Sequence, residues 1–486
     1  MDLYSIKIHI SLVSLWILIS GLLLLLSPII LLMLVLRSSE TIFYKRLYGG
    51  SKLNAPDLIW TMKRKEQLGV IIGMLHLDGS LDLPQCKDML LKRLVNKRLN
   101  GKLLYPRVTQ YISPGWINYY WLADPDFNID NHVAYLTQTP ISSDKKLKEI
   151  IEGLFCAPFK GKSPWEFLLV PYKKDNEESK TIILVRLEHS IGDGSSLAYF
   201  LMNSLADQEP NIESEESQSS TSKDHKVSKF SLGAIFFSSL VGLWYLPLVY
   251  VKNLTRKTDQ NILHTPHLTC NKKVDWILPI PLETVKSIKN ALKSTVNDVL
   301  VGVLSKSIDD YFQSQGAPGK SFTIFNAVNL RTHSPDGFDN QITSLLLSFP
   351  LGKPTTEGHI KALKSTFDVM KARKEPLGLI LGWHFIGFIL PVFLLEKLMF
   401  NEIDKTTGNV TNLIGPNQSI KIQGLNVDSL SFWQPALCNQ AFSVSFCSFQ
   451  GQIRISAQAD SIVMNDPGII LNSFEKNFNK LAKKYL

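Results

Sequence analysis

The chain is poor in the features that mark several common chemistries. Its five cysteines, Cys86, Cys156, Cys270, Cys438 and Cys447, lie far apart in 486 residues and form no CxxC pair. That spacing speaks against a zinc site or a disulfide scaffold. It predicts reduced, mostly buried thiols, as in a cytosolic protein. No HExxH and no Cys/His cluster offers a metal set, so no metal ligand is predicted. No P-loop or Rossmann fingerprint offers a phosphate cradle, and no GxSxG elbow marks a serine hydrolase. No internal repeat is visible. The net charge of +9 suits nucleic acid, an anionic membrane or an anionic substrate. With no basic stripe and no nucleic-acid motif, membrane and anionic co-substrate are the better readings.

What the chain has is length enough for a two-lobed unit and three long apolar runs. ISLVSLWILISGLLLLLSPIILLMLVL, residues 10–36, carries no charge and exceeds the roughly 20 residues that span a bilayer. It is too long for a secretory signal core and predicts a membrane anchor over 1–45. Arg37, Lys45, Arg46 and Lys52 on its carboxyl side, against Lys7 alone on the other, put the rest of the chain in the cytosol by the positive-inside rule. The sequons at Asn253, Asn409 and Asn417 would then stay bare.

Beyond the anchor, 46–207 mixes helical and strand patterns. Residues 208–229 are polar and Ser-rich and read as a disordered linker. A second apolar run makes 230–256 a membrane-associated helical segment. The rest, 257–486, forms a second mixed region with an apolar, membrane-facing insertion at 376–395.

The chemistry concentrates in VRLEHSIGDGSSL, residues 185–197. TIILVRL is a buried-strand pattern that ends at His189. SSLAYFLMNSLAD has helical spacing, with Ser195 or Ser196 able to cap it. Gly192 and Gly194 permit the tight turn between them. An imidazole at a strand end facing a cleft suits a general base, because its ordinary pKa leaves it mostly neutral. Asp193 need not face that ring; pairing with a cation would lock the loop.

EHSIGDG resembles the HHxxxDG motif of the wax ester synthase/diacylglycerol acyltransferase family, CoA-dependent acyltransferases similar to chloramphenicol acetyltransferase. YPRVTQYISPGW, DFNIDNHV, STVNDVLVGVLSKSI, NAVNLR, DNQITSLLLSFPL, NLIGP and FSVSFCSFQGQIRISAQAD resemble further family stretches in the same order, from about residue 50 to the end. The resemblance implies a two-lobed α/β acyltransferase fold carrying an N-terminal transmembrane helix. It implies direct transfer, with His189 taking a proton from a lipid hydroxyl that attacks an acyl-CoA thioester. Asn297 is the implied oxyanion donor, helix capping being its ordinary alternative role. Asp193, Gly194 and Arg331 are implied supports, with Arg331 as the partner of Asp193. Glu188 departs from the family by standing where the first histidine belongs. It could raise the pKa of His189, tune its orientation or do nothing.

Acyl-CoA is expected as co-substrate, with no permanently bound cofactor. The expected acceptors are a fatty alcohol or diacylglycerol, drawn from membrane lipid at the endoplasmic reticulum or a lipid droplet. If 230–251 and 376–395 both spanned, His189 and Asn297 would face opposite compartments. Interfacial or re-entrant segments keep them together. The rival readings are a silent lipid-binding or tethering protein of the same fold, and an enzyme for another acceptor such as a sterol.

Overall fold

The computed structural model describes residues 3–61, 69–173, 178–207, 232–269, 271–331, 334–436 and 439–486. The predicted linker at 208–229 lies outside the described residues. Two six-stranded mixed sheets organise the molecule into two lobes. In the first, the strand order is Lys421–Ile422, Leu425–Trp433, Val70–Leu77, Lys180–Glu188, Trp165–Tyr172, Val133–Tyr135. In the second it is Lys272–Pro281, Gln452–Asp460, Phe442–Phe449, Gly408–Ile414, Thr323–Asn329, Ile342–Ser348.

The run that reads as a buried strand is one. Lys180–Glu188 is hydrogen-bonded on both edges, antiparallel to Val70–Leu77 and to Trp165–Tyr172. Ile182, Ile183 and Leu184 are completely buried. Arg186, the cation inside the strand, is buried too and is neutralised by Glu166 at 2.8 Å, with Phe159 under its guanidinium, whereas Lys180 stands at the strand's first position. Leu425–Trp433 pairs antiparallel with Val70–Leu77, so a strand from late in the chain completes the sheet that carries His189. The lobes are thereby interleaved, and their facing sheets can wall a shared space. Helices Val296–Ser314, Thr356–Ala372 and Gly468–Tyr485 cover the second sheet. Their apolar faces carry Leu300, Leu304, Ile360, Leu363, Phe474 and Phe478, each 2 % exposed or less.

Helix Leu3–Tyr48 runs for 46 residues, about 69 Å at 1.5 Å per residue. This exceeds a bilayer's hydrocarbon thickness of roughly 30 Å. Lys7–Tyr48 and Gly233–Thr255 are both long and apolar enough to cross a membrane by length and composition. The run at 376–395 is not one such helix. It breaks at Leu390 and Pro391 into Glu375–Ile389 and Val392–Ile403. Pro391 lacks the N–H that would continue the first helix. At 15 residues, that helix reaches about 22 Å.

Helices Leu232–Leu254 and Glu375–Ile389 cross where both are glycine. A Cβ at Gly378 would stand 2.3 Å from the Gly242 carbonyl oxygen, so only glycine admits the approach. Helix Leu3–Tyr48 packs on the same pair, with Trp16 Nε1 donating to the Trp244 carbonyl.

Two expectations need correction. Arg37 is not a free flank charge. It is 3 % exposed, donates to Asn118 Oδ1 through Nε (2.9 Å) and Nη2, and donates through Nη1 to the Phe388 and Leu390 carbonyls. Glu40, one turn on, accepts from the Trp116 and Ile117 amides and from Asn118 Nδ2. A carboxylate and a guanidinium one turn apart thus fasten the long helix to the first lobe and to the break at 390–391. The positive-inside argument retains Lys45, Arg46 and Lys52. The second correction concerns the cysteines. Cys86 and Cys447 are free and buried, but Cys156 is disulfide-bonded. Wide spacing along the chain does not limit proximity in the fold, so the inference from reduced thiols to the cytosol fails at that residue.

Candidate active site

His189 follows the last residue of its strand, in a turn of Glu188–Ile191. The loop is tied by its backbone: His189 N donates to the Gly69 carbonyl (2.8 Å) and Ile191 N to the Glu188 carbonyl (3.0 Å). The ring is 7 % exposed and stacks on Trp60 with centroids 3.6 Å apart and planes 16° from parallel. Its Nδ1 is buried without a hydrogen bond of good geometry. Burial pushes the His189 pKa down to about 3, against a smaller opposing pull from its own carbonyl and the Asn340 amide. The ring is therefore neutral at physiological pH, the form that can accept a proton.

Asp193 turns away from that ring. It is the N-cap of helix Gly194–Phe200, its carboxylate accepting from Ser196 N at 3.0 Å. The cap is thus the aspartate, not Ser195 or Ser196. A shorter side chain can reach the amide, but the carboxylate adds charge at the positive end of the helix. The same carboxylate accepts from Arg331 Nη1 at 2.8 and 2.7 Å and from Gln341 N at 2.9 Å. Arg331 also binds Asp339 through Nη2, and its charge is held firmly by the two carboxylates. Gly194 lets the loop lie against Leu413, which a Cβ would approach to 3.3 Å.

A second clamp, not foreseen from the sequence, grips the loop from the other side. Arg107 donates to both oxygens of Asp57 (3.1 and 2.7 Å) and to the Ser190 and Ile191 carbonyls (2.9 and 3.0 Å). Asn340 Nδ2 donates to Asp57 Oδ1 (2.8 Å) and to the His189 carbonyl (3.0 Å). Arg107 and Asn340 lie in the stretches YPRVTQYISPGW and DNQITSLLLSFPL. Both stand among other polar residues, so neither was marked by its local pattern. Nor was Trp60.

The histidine borders a narrow cleft between the two sheets. Its walls include Trp60, Ser195, Ser344, Asn409, Asn412 and Gln434. Asn409 and Gln434 are bonded to each other, Gln434 Nε2 donating to Asn409 Oδ1 at 2.9 Å. Asn297 is not among the lining residues. It is half-buried in the first turn of helix Val296–Ser314. The helix is capped by Thr295 in a reciprocal capping box with Asp298. Glu188 is buried and faces a different concavity, lined also by Tyr119, Lys162 and Glu396.

Beside the His189 cleft lies a second, apolar concavity. It shares Ile71, Gly194, Leu413 and Phe432 with the first. Every other wall residue is apolar, among them Leu75, Phe167, Val185, Phe200 and Leu205. Such a chamber can hold hydrocarbon and gives nothing polar to hydrogen-bond. The arrangement is a neutral imidazole on a hydrogen-bonded loop, lining a cleft of mixed character that adjoins an apolar chamber.

Comparisons with known proteins agree with this architecture. Residues 338–482 match the WS/DGAT C-terminal domain. Wax ester synthase/diacylglycerol acyltransferase 11 of Arabidopsis thaliana is 25% identical over 393 residues, covering 71% of this chain and 75% of that protein. The structure of a wax ester synthase/diacylglycerol acyltransferase from Marinobacter aquaeolei VT8 superposes with a TM-score of 0.57 at 14% identity, over 90% of this chain and 100% of that one. TRI3 trichothecene 15-O-acetyltransferase from Fusarium sporotrichioides gives a TM-score of 0.60 at 13% identity, over 89% and 95%. At such identities the structures speak for the fold alone. The fold, the matched domain and the similarity along most of the length together place this chain among the relatives of the wax ester synthase/diacylglycerol acyltransferase family.

Proposed function

We propose that this protein is a membrane-bound O-acyltransferase that moves a long-chain acyl group from acyl-CoA to a lipid hydroxyl, making wax ester, triacylglycerol or both. The observation that carries the proposal is the placement of His189 in a cleft of mixed polar and apolar lining, which adjoins an apolar chamber across the shared residues Ile71, Gly194, Leu413 and Phe432. The acyl chain would lie in the chamber with its thioester at the ring. His189 accepts the proton of the acceptor hydroxyl as the oxygen attacks the thioester carbon. The resulting imidazolium then protonates the departing CoA thiolate. One base serves both transfers, so no acyl-enzyme is needed. Asp193, Gly194 and Arg331 hold the loop, and Arg107 and Asn340 hold it from beneath.

The tetrahedral oxyanion needs a donor. Asn297 is the residue that the resemblance assigns, and Asn412, which lines the cleft, competes with it. Helix Leu3–Tyr48 anchors the enzyme in the bilayer, and the apolar helices beside it lie in the cytosolic leaflet, with the catalytic lobes facing the cytosol. The endoplasmic reticulum and the lipid droplet are the membranes where such acceptors accumulate.

The second reading is a silent lipid-binding protein. It is favoured by the Trp60 ring covering one face of His189 and by the glutamate at position 188. Purified protein incubated with labelled palmitoyl-CoA and, in turn, hexadecanol, dioleoylglycerol and cholesterol separates these readings. Ester formation that disappears in a folded His189→Ala variant supports the proposal. Lipid binding without turnover on any acceptor removes it.

A further inference from the structure

A concavity that His189 does not line opens where helix Leu232–Leu254 ends. Its walls are Lys252, Arg256, Leu346, Ser348, Thr366 and Met370. Ile342 and Ser344 border the catalytic cleft, whereas Ser348 is at the other end of the same strand. Ser344 of the cleft and Leu346 of the hollow are two positions apart, about 7 Å along the strand, but the two concavities share no wall residue.

Two cations and two hydroxyls line this concavity, and no carboxylate does. Arg256 donates to Ser348 Oγ at 2.6 Å and to Thr323 Oγ1 at 3.3 Å. Its Nε is buried without a partner. Neither Lys252 nor Arg256 has an acidic partner at salt-bridge distance among the described residues. The nearby acids are engaged elsewhere. Asp259 accepts from Thr323 N, Thr323 Oγ1 and Thr407 Oγ1. Glu375 sits 3.7 Å from Arg373, and Glu402 accepts from Asn253. None of these acids lines the hollow, although Glu375 attracts Lys252 and Asp259 and Glu402 attract Arg256 from nearby; a hollow whose lining charges are both positive suits an external anion.

Its position says which anion. Val251 and Leu254, beside the two cations, are exposed, and so are Phe236, Phe237 and Leu240 further up the same helix. An apolar helix that ends in long cationic side chains is built to put its body in hydrocarbon and its charges at headgroup level. We propose that this concavity binds the phosphate of a membrane phospholipid, with Lys252 and Arg256 as its ligands and Val251 and Leu254 against the acyl chains. Such a site seats the protein at a fixed depth and does not depend on the acyl-transfer reading.

The test uses the full chain in detergent micelles and native mass spectrometry to measure binding of dioctanoyl-phosphatidylglycerol. The Lys252→Gln/Arg256→Gln double variant binds about thirtyfold more weakly, the change expected from two basic residues near a lipid surface. Lys257→Gln, on the neighbouring exposed position, stays within twofold. Dioctanoylglycerol, which has the same tails and no phosphate, binds the wild type and the double variant alike. A double variant within twofold of wild type for the phospholipid overturns the proposal. So does displacement of the lipid by equal concentrations of inorganic phosphate or CoA, which would assign the hollow to a free phosphate or to the acyl donor. Because Arg256 also ties Ser348, Lys252→Gln alone serves if the double variant does not fold. It should weaken binding about fivefold, and unchanged affinity overturns the proposal equally.

Discussion

Replacing Asp193 by alanine should destabilise the protein more than replacing any exposed carboxylate, and the structure indicates by how much. The Asp193 and Arg331 side chains are 1% and 4% exposed. Removing one partner of a buried ion pair costs about 3–5 kcal/mol, because the other charge is left desolvated and unpaired. Arg331 keeps Asp339, whose side chain is 29% exposed, which places the pair loss near the lower bound. Loss of the helix cap adds about 1 kcal/mol. The sum is about 4 kcal/mol. Asp193→Asn keeps an oxygen for Ser196 N and loses only the charge, so it should fall between the wild type and the alanine variant. In the Asp193→Ala/Arg331→Ala double variant no guanidinium is stranded, so its loss should be smaller than the sum of the single losses by about 0.5–3 kcal/mol. Thermal unfolding of the detergent-solubilised protein, followed by tryptophan fluorescence, gives all four values. Because the loop from Glu188 to Gly194 carries both His189 and Asp193, ester formation should fall with the clamp. An alanine variant that melts within a degree of wild type, or strictly additive losses in the double variant, would refute the account of a buried clamp.

Three other outcomes are expected. Between Ile71 and Leu75, which line the apolar chamber, Gly73 faces it too; a Cβ there meets only Val185, at 3.8 Å. Gly73→Val should lower kcat/KM for palmitoyl-CoA at least tenfold more than for octanoyl-CoA, and an equal loss for both donors removes the chamber as the acyl site. His189 has its pKa lowered to about 3. Neutral imidazole therefore persists as pH falls through 6.5, and kcat/KM should show no acid limb centred there; such a limb would contradict the burial described. By the same linkage the unfolded chain takes up a proton near 6.5 that the folded chain does not, so this group's contribution to stability is full above 6.5 and declines towards pH 3. Finally, Asn297→Ala and Asn412→Ala separate the two candidates for the oxyanion: the true donor loses about 100-fold or more in kcat with little change in KM, and the other variant changes little.

Local pattern was enough to read the strand, the turn and the helix around His189, since each depends on residues adjacent in sequence. Lys180–Glu188 is the apolar run expected, and it stops at the residue expected. The partnership of Asp193 with Arg331 came from resemblance, because nothing in a run of residues tells a carboxylate which guanidinium, 138 positions away, it will meet. The same limit explains the misses. Asp57, Arg107 and Asn340 meet only when the chain has folded, and none has a spacing that advertises it. Leu425–Trp433 pairs with Val70–Leu77, a strand about 350 positions earlier, and no local pattern announces such a partner.

Hydropathy has a related blindness, and the apolar segments show it. Composition gives 376–395 as one long run, whereas the chain breaks it at Pro391 and sends Val392–Ile403 back against the first lobe, burying Val392 and Leu395. A hydropathy window averages over that proline, but a backbone cannot. Arg37 makes the same point for charge. Counted along the sequence it is one more cation beside a membrane helix. In three dimensions it satisfies the last carbonyls of Glu375–Ile389, groups that no residue within that helix can reach. The long helix is therefore more than a tether. Through Arg37, Glu40 and Asn118 its orientation is coupled to the break at 390–391, and through Gly378 and Gly242 that break is coupled to the helix ending at the cationic hollow. A shift of any one of these apolar helices would therefore be passed through packed contacts to the others.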